Sequence, residues 1–403
     1  MGDPFLIGGV IIACFVAFNI GGATTGPAFG PAVGANVLSK TTAGALMAVA
    51  FFGGAYTIGR RVVDTLGTEL VHDPSVFTLE ASIIVLFFIG GALLVGNLSG
   101  APASTSMTAV GAIIGLGLAS GELNFAVVGE ILAWWILSPI IGFWLAVMVG
   151  RYGYEALDRR VAIEQSDGPL LAFERVELGR WPVVRLRESP VVRMERISPK
   201  LWPALGPNTS WREAVGTAVL VSIGFLMAFS SGTSNIANAI APLVGSGALA
   251  MNPGILIGCG AVAVGALTIA RRTMETLGND ITDLPLTAAI VVALLSSLII
   301  IALSALGIPA SFVVVATLCI IGLGWGRSTQ AVSVGALARG DDATVGTVRS
   351  QSAPQGASRR TAPVRSDLFD PGTSVRVVLM QNVVPLLATG GSYLTFWLLP
   401  VGG

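Results

Sequence analysis

The chain has 403 residues, 53% hydrophobic and only 11% charged, with a mean hydropathy of +0.79. A soluble domain carries roughly 25% charged residues, so a soluble globular protein is excluded and an integral membrane protein is expected. Acidic and basic residues balance at 23 each, which argues against a nucleic-acid partner.

The start, MGDPFLIGG, lacks a basic stretch and a clear cleavage site, so residues 5–20 are expected as a retained helix in a multi-pass protein of the cell membrane. At Phe18–Leu38 the run FNIGGATTGPAFGPAVGANVL brings glycines, two prolines and the adjacent Thr24 and Thr25 into this apolar setting, and an interruption of the helix is expected over 21–38. Further spanning segments are expected near 41–59, 78–98, 125–149, 213–230, 253–270, 284–306 and 375–399, since about 20 residues cross the hydrocarbon core. Shorter Gly/Ser/Thr/Pro-marked segments at 101–119, 232–249 and 308–326 are expected as re-entrant or broken helices. The organisation that follows is an N-terminal transmembrane repeat over 1–150, a polar connection over 151–212, a C-terminal repeat core over 213–326, a low-complexity loop over 327–373 and a final transmembrane helix over 374–403. Cys14, Cys259 and Cys319 stand alone in apolar segments and give neither a disulfide framework nor metal spacing.

The two halves are copies. GRRVVDTLGTEL (59–70) lies on ARRTMETLGNDI (270–281), with Arg60, Arg61, Thr65, Leu66 and Gly67 on Arg271, Arg272, Thr276, Leu277 and Gly278. The same offset of 211 sets Gly21, Pro31, Val33, Gly34 and Leu38 on Gly232, Pro242, Val244, Gly245 and Leu249. It then slips to 207, where GAPAS (100–104) meets GIPAS (307–311). Secondary transporters are commonly built from two such repeats, with interrupted hydrophobic segments at matching places. Non-helical backbone at membrane depth is tolerated where protein or a water-filled cavity surrounds it. A helix start there carries free N–H groups and a partial positive charge, which suits an anion. The pattern therefore describes an anion site with no basic cluster.

At these residues the chain resembles the inorganic phosphate transporter family, whose signature G-A-N-D-x-x-N-A occurs once in each half and is followed by a P-x-S-T-T-H-like segment. Here the copies read GGATTGPA (21–28) and GTSNIANA (232–239), and the later segments PASTSM (102–107) and PASFVV (309–314). The resemblance implies an all-α polytopic membrane protein of two repeats, inverted in topology, with broken helices around a midplane anion site. It implies a permease for a tetrahedral oxyanion, driven by a coupling ion, H+ or Na+, with the bilayer as its other partner and a homodimer as the allowed assembly.

The departures bear on the substrate. Both signature Asp positions are neutral, Thr24 and Asn235, and the last signature Asn survives only as Asn238. Sulfate accepts hydrogen bonds and donates none, whereas phosphate carries OH groups that need acceptors. A site of Thr24, Thr25, Ser104, Thr105, Ser106, Ser234, Asn235, Asn238 and Ser311 is rich in donors and does not repel a dianion, which favours sulfate. The family's sulfate permease branch resembles this chain in its small-residue run. Coupling candidates are the acids Glu130, Asp64 and Glu275, because an ionisable group in a membrane segment is costly. An anion channel using the same broken helices is the competing function. An enzyme is not expected, since no nucleophile–base cluster, metal spacing or phosphate-cradling Lys loop occurs.

Overall fold

The computed structural model describes residues 4–34, 37–98, 104–161, 171–175, 201–205, 211–270, 286–330 and 371–399. In the first half these form helices α1 (Pro4–Gly34), α2 (Lys40–Thr57), α3 (Gly59–Asp64), α4 (Leu79–Leu98), α5 (Thr105–Ser120), α6 (Phe125–Met148) and α7 (Tyr154–Val161). In the second half they form α8 (Trp211–Gly245), α9 (Met251–Leu267), α10 (Leu286–Ala305), α11 (Phe312–Gln330) and α12 (Pro371–Leu398). Six described helices are long and apolar enough to cross a membrane, and α2 with α3, bent by 64° at Ile58, makes a seventh if taken as one span. The helices α5 and α9 are apolar but shorter.

Local chemistry sets several boundaries. Ser39, Ser104 and Asn124 cap α2, α5 and α6 by accepting from Thr42 N, Met107 N and Val127 N, each satisfying a donor the helix cannot. Gly121 ends α5 at φ 78°, a left-handed position that suits glycine. The connection expected as polar loop carries α7 and an antiparallel strand pair, Leu171–Arg175 with Leu201–Leu205.

One expectation is corrected. α1 runs unbroken through residues 21–34 and α8 through 232–245, so the first break of each repeat lies at the helix end and not inside the apolar run. At 31 and 35 residues these helices exceed the roughly 20 needed to span. Thr24 and Thr25 return their hydroxyls to the carbonyls of Ile20 and Gly21, which keeps them compatible with helix. The glycines serve close packing instead. A Cβ on Gly21 would strike the Val262 carbonyl of α9, and one on Gly265 would strike the Phe18 carbonyl of α1. Small residues let helix backbones meet this closely in membranes.

The same contacts recur with the repeats exchanged. Gly232 meets the Phe51 carbonyl and Gly54 that of Phe229, and the offset of 211 carries Gly21–Val262 onto Gly232–Phe51 and Gly265–Phe18 onto Gly54–Phe229. The later helices repeat the exchange. Gly115 of α5 meets the Thr389 carbonyl of α12, and Gly322 of α11 meets the Phe143 carbonyl of α6. Reciprocal contacts between equivalent residues are what a two-fold relation produces. The starts of α5 and α11 meet residues of α1 and α8 around one cavity.

Candidate functional site

A cavity of about 80 Å³ lies where these four elements meet, against the roughly 10–15 Å³ that one water needs. Its wall is Ala23, Thr24, Pro27 and Ala28 from α1, Met227, Ser231 and Asn235 from α8, Ser104 and Thr105 at the start of α5, and Ser311, Phe312 and Val313 at the start of α11. Among the described residues, no charged side chain lines it. Each repeat supplies a long helix and a helix start, and Thr24 and Ser104 are matched by Asn235 and Ser311 at the sequence offsets of 211 and 207.

The two helix starts differ in one respect. The Ser104 hydroxyl accepts from Met107 N at 3.2 Å, so its oxygen is engaged while its proton remains available. Ser311 is only 7% exposed and its hydroxyl has no partner among the described residues. A buried hydroxyl left unpaired costs on the order of 1–3 kcal/mol, and this one belongs to a residue that lines the cavity. The first amides of α5 and α11 have no acceptor within their helices.

Asn235 ties the wall together. Its Oδ1 accepts from Thr105 Oγ1 at 2.6 Å and from Asn238 Nδ2 at 3.2 Å, and its Nδ2 donates to Ser231 Oγ at 3.0 Å. Two donors already fill the amide oxygen. The second proton of the amide nitrogen is not engaged by a described residue, and Ser231 and Asn235 both lie on the cavity wall. The Thr24 proton is spent on Ile20 O at 2.8 Å.

The structure thus brings together Thr24, Ser104, Thr105, Asn235 and Ser311 of the residues singled out from sequence. Thr25, Ser106, Ser234 and Asn238 are buried outside the lining. Ser106 and Ser234 donate to the Ala310 carbonyl at 3.1 and 3.0 Å, holding the segment before α11. Asn238 is fully buried, holds Asn235 and leaves its own Oδ1 without a partner among the described residues. Ser231 was not among the sequence candidates. It lies four residues before Asn235, on the same face of a continuous α8, and reading a break at residue 232 hides that relation.

The coupling candidates lie elsewhere. Glu130 is exposed in the second turn of α6, away from the cavity lining. Asp64 lines a separate opening of about 330 Å³ with Arg61, Thr65, Glu69, Ala305, Leu306 and Gly307. Glu275 lies outside the described residues.

Comparison with known proteins agrees with this architecture. Residues 20–340 match the phosphate transporter family. The sulfate permease CysP of Bacillus subtilis is 28% identical over 320 residues, 79% of this chain and 77% of that protein. A provisionally named phosphate permease of Pyrococcus furiosus is 26% identical over 379 residues, 83% and 90% of the two chains. A solved structure described as the sodium-dependent phosphate transporter superposes with a TM-score of 0.65 over 99% of both chains at 18% identity, which shows a shared fold.

Proposed function

The chain belongs to the phosphate transporter family, and from that premise we propose that it is a secondary active permease for a tetrahedral inorganic oxyanion, with sulfate preferred over phosphate. The observation that carries the preference is the cavity wall: hydroxyls and amides around two helix starts, with no carboxylate among the described residues. Relatives named as sulfate and as phosphate permeases both support an anion substrate. Within that choice the donor inventory supports sulfate. The available protons belong to Ser104, Ser231, Ser311 and Asn235, while the best acceptor, Asn235 Oδ1, is occupied twice. A fully deprotonated dianion matches such a wall, whereas a phosphate OH meets only hydroxyl oxygens such as that of Thr24, whose proton goes to Ile20 O, and no carboxylate among the described residues.

In this proposal the repeats are inverted and the site alternates between the two sides of the membrane. Coupling to H+ or Na+ belongs to the same reading. A described carboxylate does not line the cavity, so a coupling group would act from outside it, with Asp64 the candidate that borders an opening.

The test is uptake of labelled sulfate and phosphate, side by side, into liposomes holding the purified protein. Sulfate should accumulate against its gradient and should inhibit phosphate uptake when in excess. Phosphate uptake that excess sulfate leaves untouched would reverse the preference. Passive equilibration without accumulation would point to a channel.

A further inference from the structure

Residues 306–311 join α10 to α11 and bring Ser311 to the cavity wall. Gly307 turns the chain at φ 81°, a conformation glycine takes without steric cost. The residues after it are outside helix and strand, so their carbonyls need partners from other elements. Ala310 O receives the hydroxyls of Ser106 and Ser234. Pro309 O receives the indole N–H of Trp135, on α6, at 2.7 Å. Trp135 does not line the cavity, yet it grips the chain two residues from the unpaired Ser311 hydroxyl. The same helix also carries α11 itself: Gly322 and Gly326 lie against the carbonyls of Phe143 and Val147.

The other repeat has a donor at the matching place. The reciprocal contacts of Phe143 and Thr389 set α6 on α12 at an offset of 246, and this register puts Pro139 on Pro385, the prolines inside the two helices. It also puts Trp135 on Gln381. The Gln381 side chain is 8% exposed and its Nε2 has no partner among the described residues. Indole and carboxamide share little beyond an N–H donor. A tryptophan kept only for its bulk would not be matched by a buried amide.

We infer that Trp135 is a positioning residue for the anion site: its indole N–H holds the Pro309 carbonyl and thereby sets where the Ser311 hydroxyl stands. This rests on the reading of the cavity as an oxyanion site. The indole does not touch the anion. It acts by keeping the segment before α11 in register with α6, while Ser106 and Ser234 fix the next carbonyl from α5 and α8.

The experiment is labelled sulfate uptake by the full-length protein in liposomes, for wild type, Ser311→Ala, Trp135→Phe and the double variant. Trp135→Phe keeps the ring and removes the N–H. The half-saturation concentration should rise about three- to ten-fold, the effect of one neutral hydrogen bond, with the maximal rate held within about two-fold. The double variant should be no worse than Ser311→Ala, because the two residues act through one hydroxyl. An unchanged half-saturation concentration in Trp135→Phe, or effects that multiply in full, would overturn the inference. Should Trp135→Phe not accumulate, Trp135→Gln restores a donor and copies the other repeat. Half-saturation within about two-fold of wild type supports the inference, and a value as high as that of Ser311→Ala overturns it. A wild type that transports neither sulfate nor phosphate sinks the oxyanion reading itself, whereas a response to Ser311→Ala alone sinks only the role of Trp135.

Discussion

Thr105 Oγ1 donates to Asn235 Oδ1 at 2.6 Å, joining the start of α5 to the middle of α8 across 130 positions of sequence. The bond links the two repeats at the cavity wall. It also sets the polarity of the wall, because the amide oxygen that accepts from Thr105 and Asn238 cannot serve a ligand's OH as well. Asn235 replaces the signature carboxylate of the family, and its neutral amide is held as a donor toward Ser231.

Asn235→Asp should reverse the substrate preference. A carboxylate beside a bound anion repels it by roughly 4 kcal/mol for unit charges about 4 Å apart at an effective dielectric of 20, a loss of about a thousand-fold in affinity. Phosphate recovers part of that through a hydrogen bond from its OH to the new acceptor, and sulfate cannot. Thr24→Asp, at the matching place in α1, should act in the same direction. Competition between the two labelled anions measures the ratio, and a variant in which sulfate still competes as in wild type would contradict the donor argument.

The two cavity serines should separate stability from binding. Ser104→Ala removes the cap that accepts from Met107 N and should cost about 0.5–2 kcal/mol of stability in addition to weaker uptake. The Ser311 hydroxyl makes no hydrogen bond among the described residues, so Ser311→Ala should leave thermal stability at or above wild type. Its half-saturation concentration should still rise about ten-fold, as expected for a hydrogen bond to a charged ligand. Thermal melting in detergent beside uptake kinetics distinguishes the two. Equal loss of stability in both variants would mean that Ser311 caps α11 as Ser104 caps α5.

The repeat, the membrane class and the pairing of Ser104 with Ser311 were legible in sequence because they depend on composition and on one register. The unbroken course of α1 and α8 was not. Gly21 and Gly232 read as helix breakers when only their own segment is considered, and their role is defined by Val262 and Phe51 on other helices. Asn238 followed the family pattern into the candidate list, but its neighbours place it behind Asn235. Trp135 could not be found at all, since its partner Pro309 is 174 positions away and nothing in an apolar helix marks one tryptophan as a donor.

The crossing glycines give a test of the exchanged packing. Gly21→Ala and Gly232→Ala each drive a Cβ into a backbone carbonyl of the facing helix, which cannot move aside as a flexible side chain can. Each should lower stability by about 1–3 kcal/mol, the usual cost of overpacking, and the two should match within about 1 kcal/mol because they occupy equivalent contacts. Gly8→Ala and Gly129→Ala, where nothing lies within 4 Å, serve as controls and should be neutral or slightly stabilising. Melting of the purified variants checks this, and tolerance of alanine at Gly21 and Gly232 would refute the close crossing.

Asn238 should govern selectivity without touching the ligand. Its Nδ2 supplies one of the two donors on Asn235 Oδ1, and its own Oδ1 is buried without a partner among the described residues. Asn238→Leu keeps similar volume while removing both. Losing the hydrogen bond costs about 1 kcal/mol, but removing the orphaned acceptor offsets that by a comparable amount, so stability should stay close to wild type. Asn235 then keeps only Thr105 on its oxygen and is freer to turn that oxygen toward Ser231 and the cavity. Sulfate half-saturation should rise about three- to ten-fold, the effect of one neutral hydrogen bond, while phosphate, which gains an acceptor, should change less. The ratio of the two, measured in the same liposomes, is the readout. If sulfate and phosphate weakened equally, Asn238 would be supporting the shape of the wall and not the direction of its hydrogen bonds.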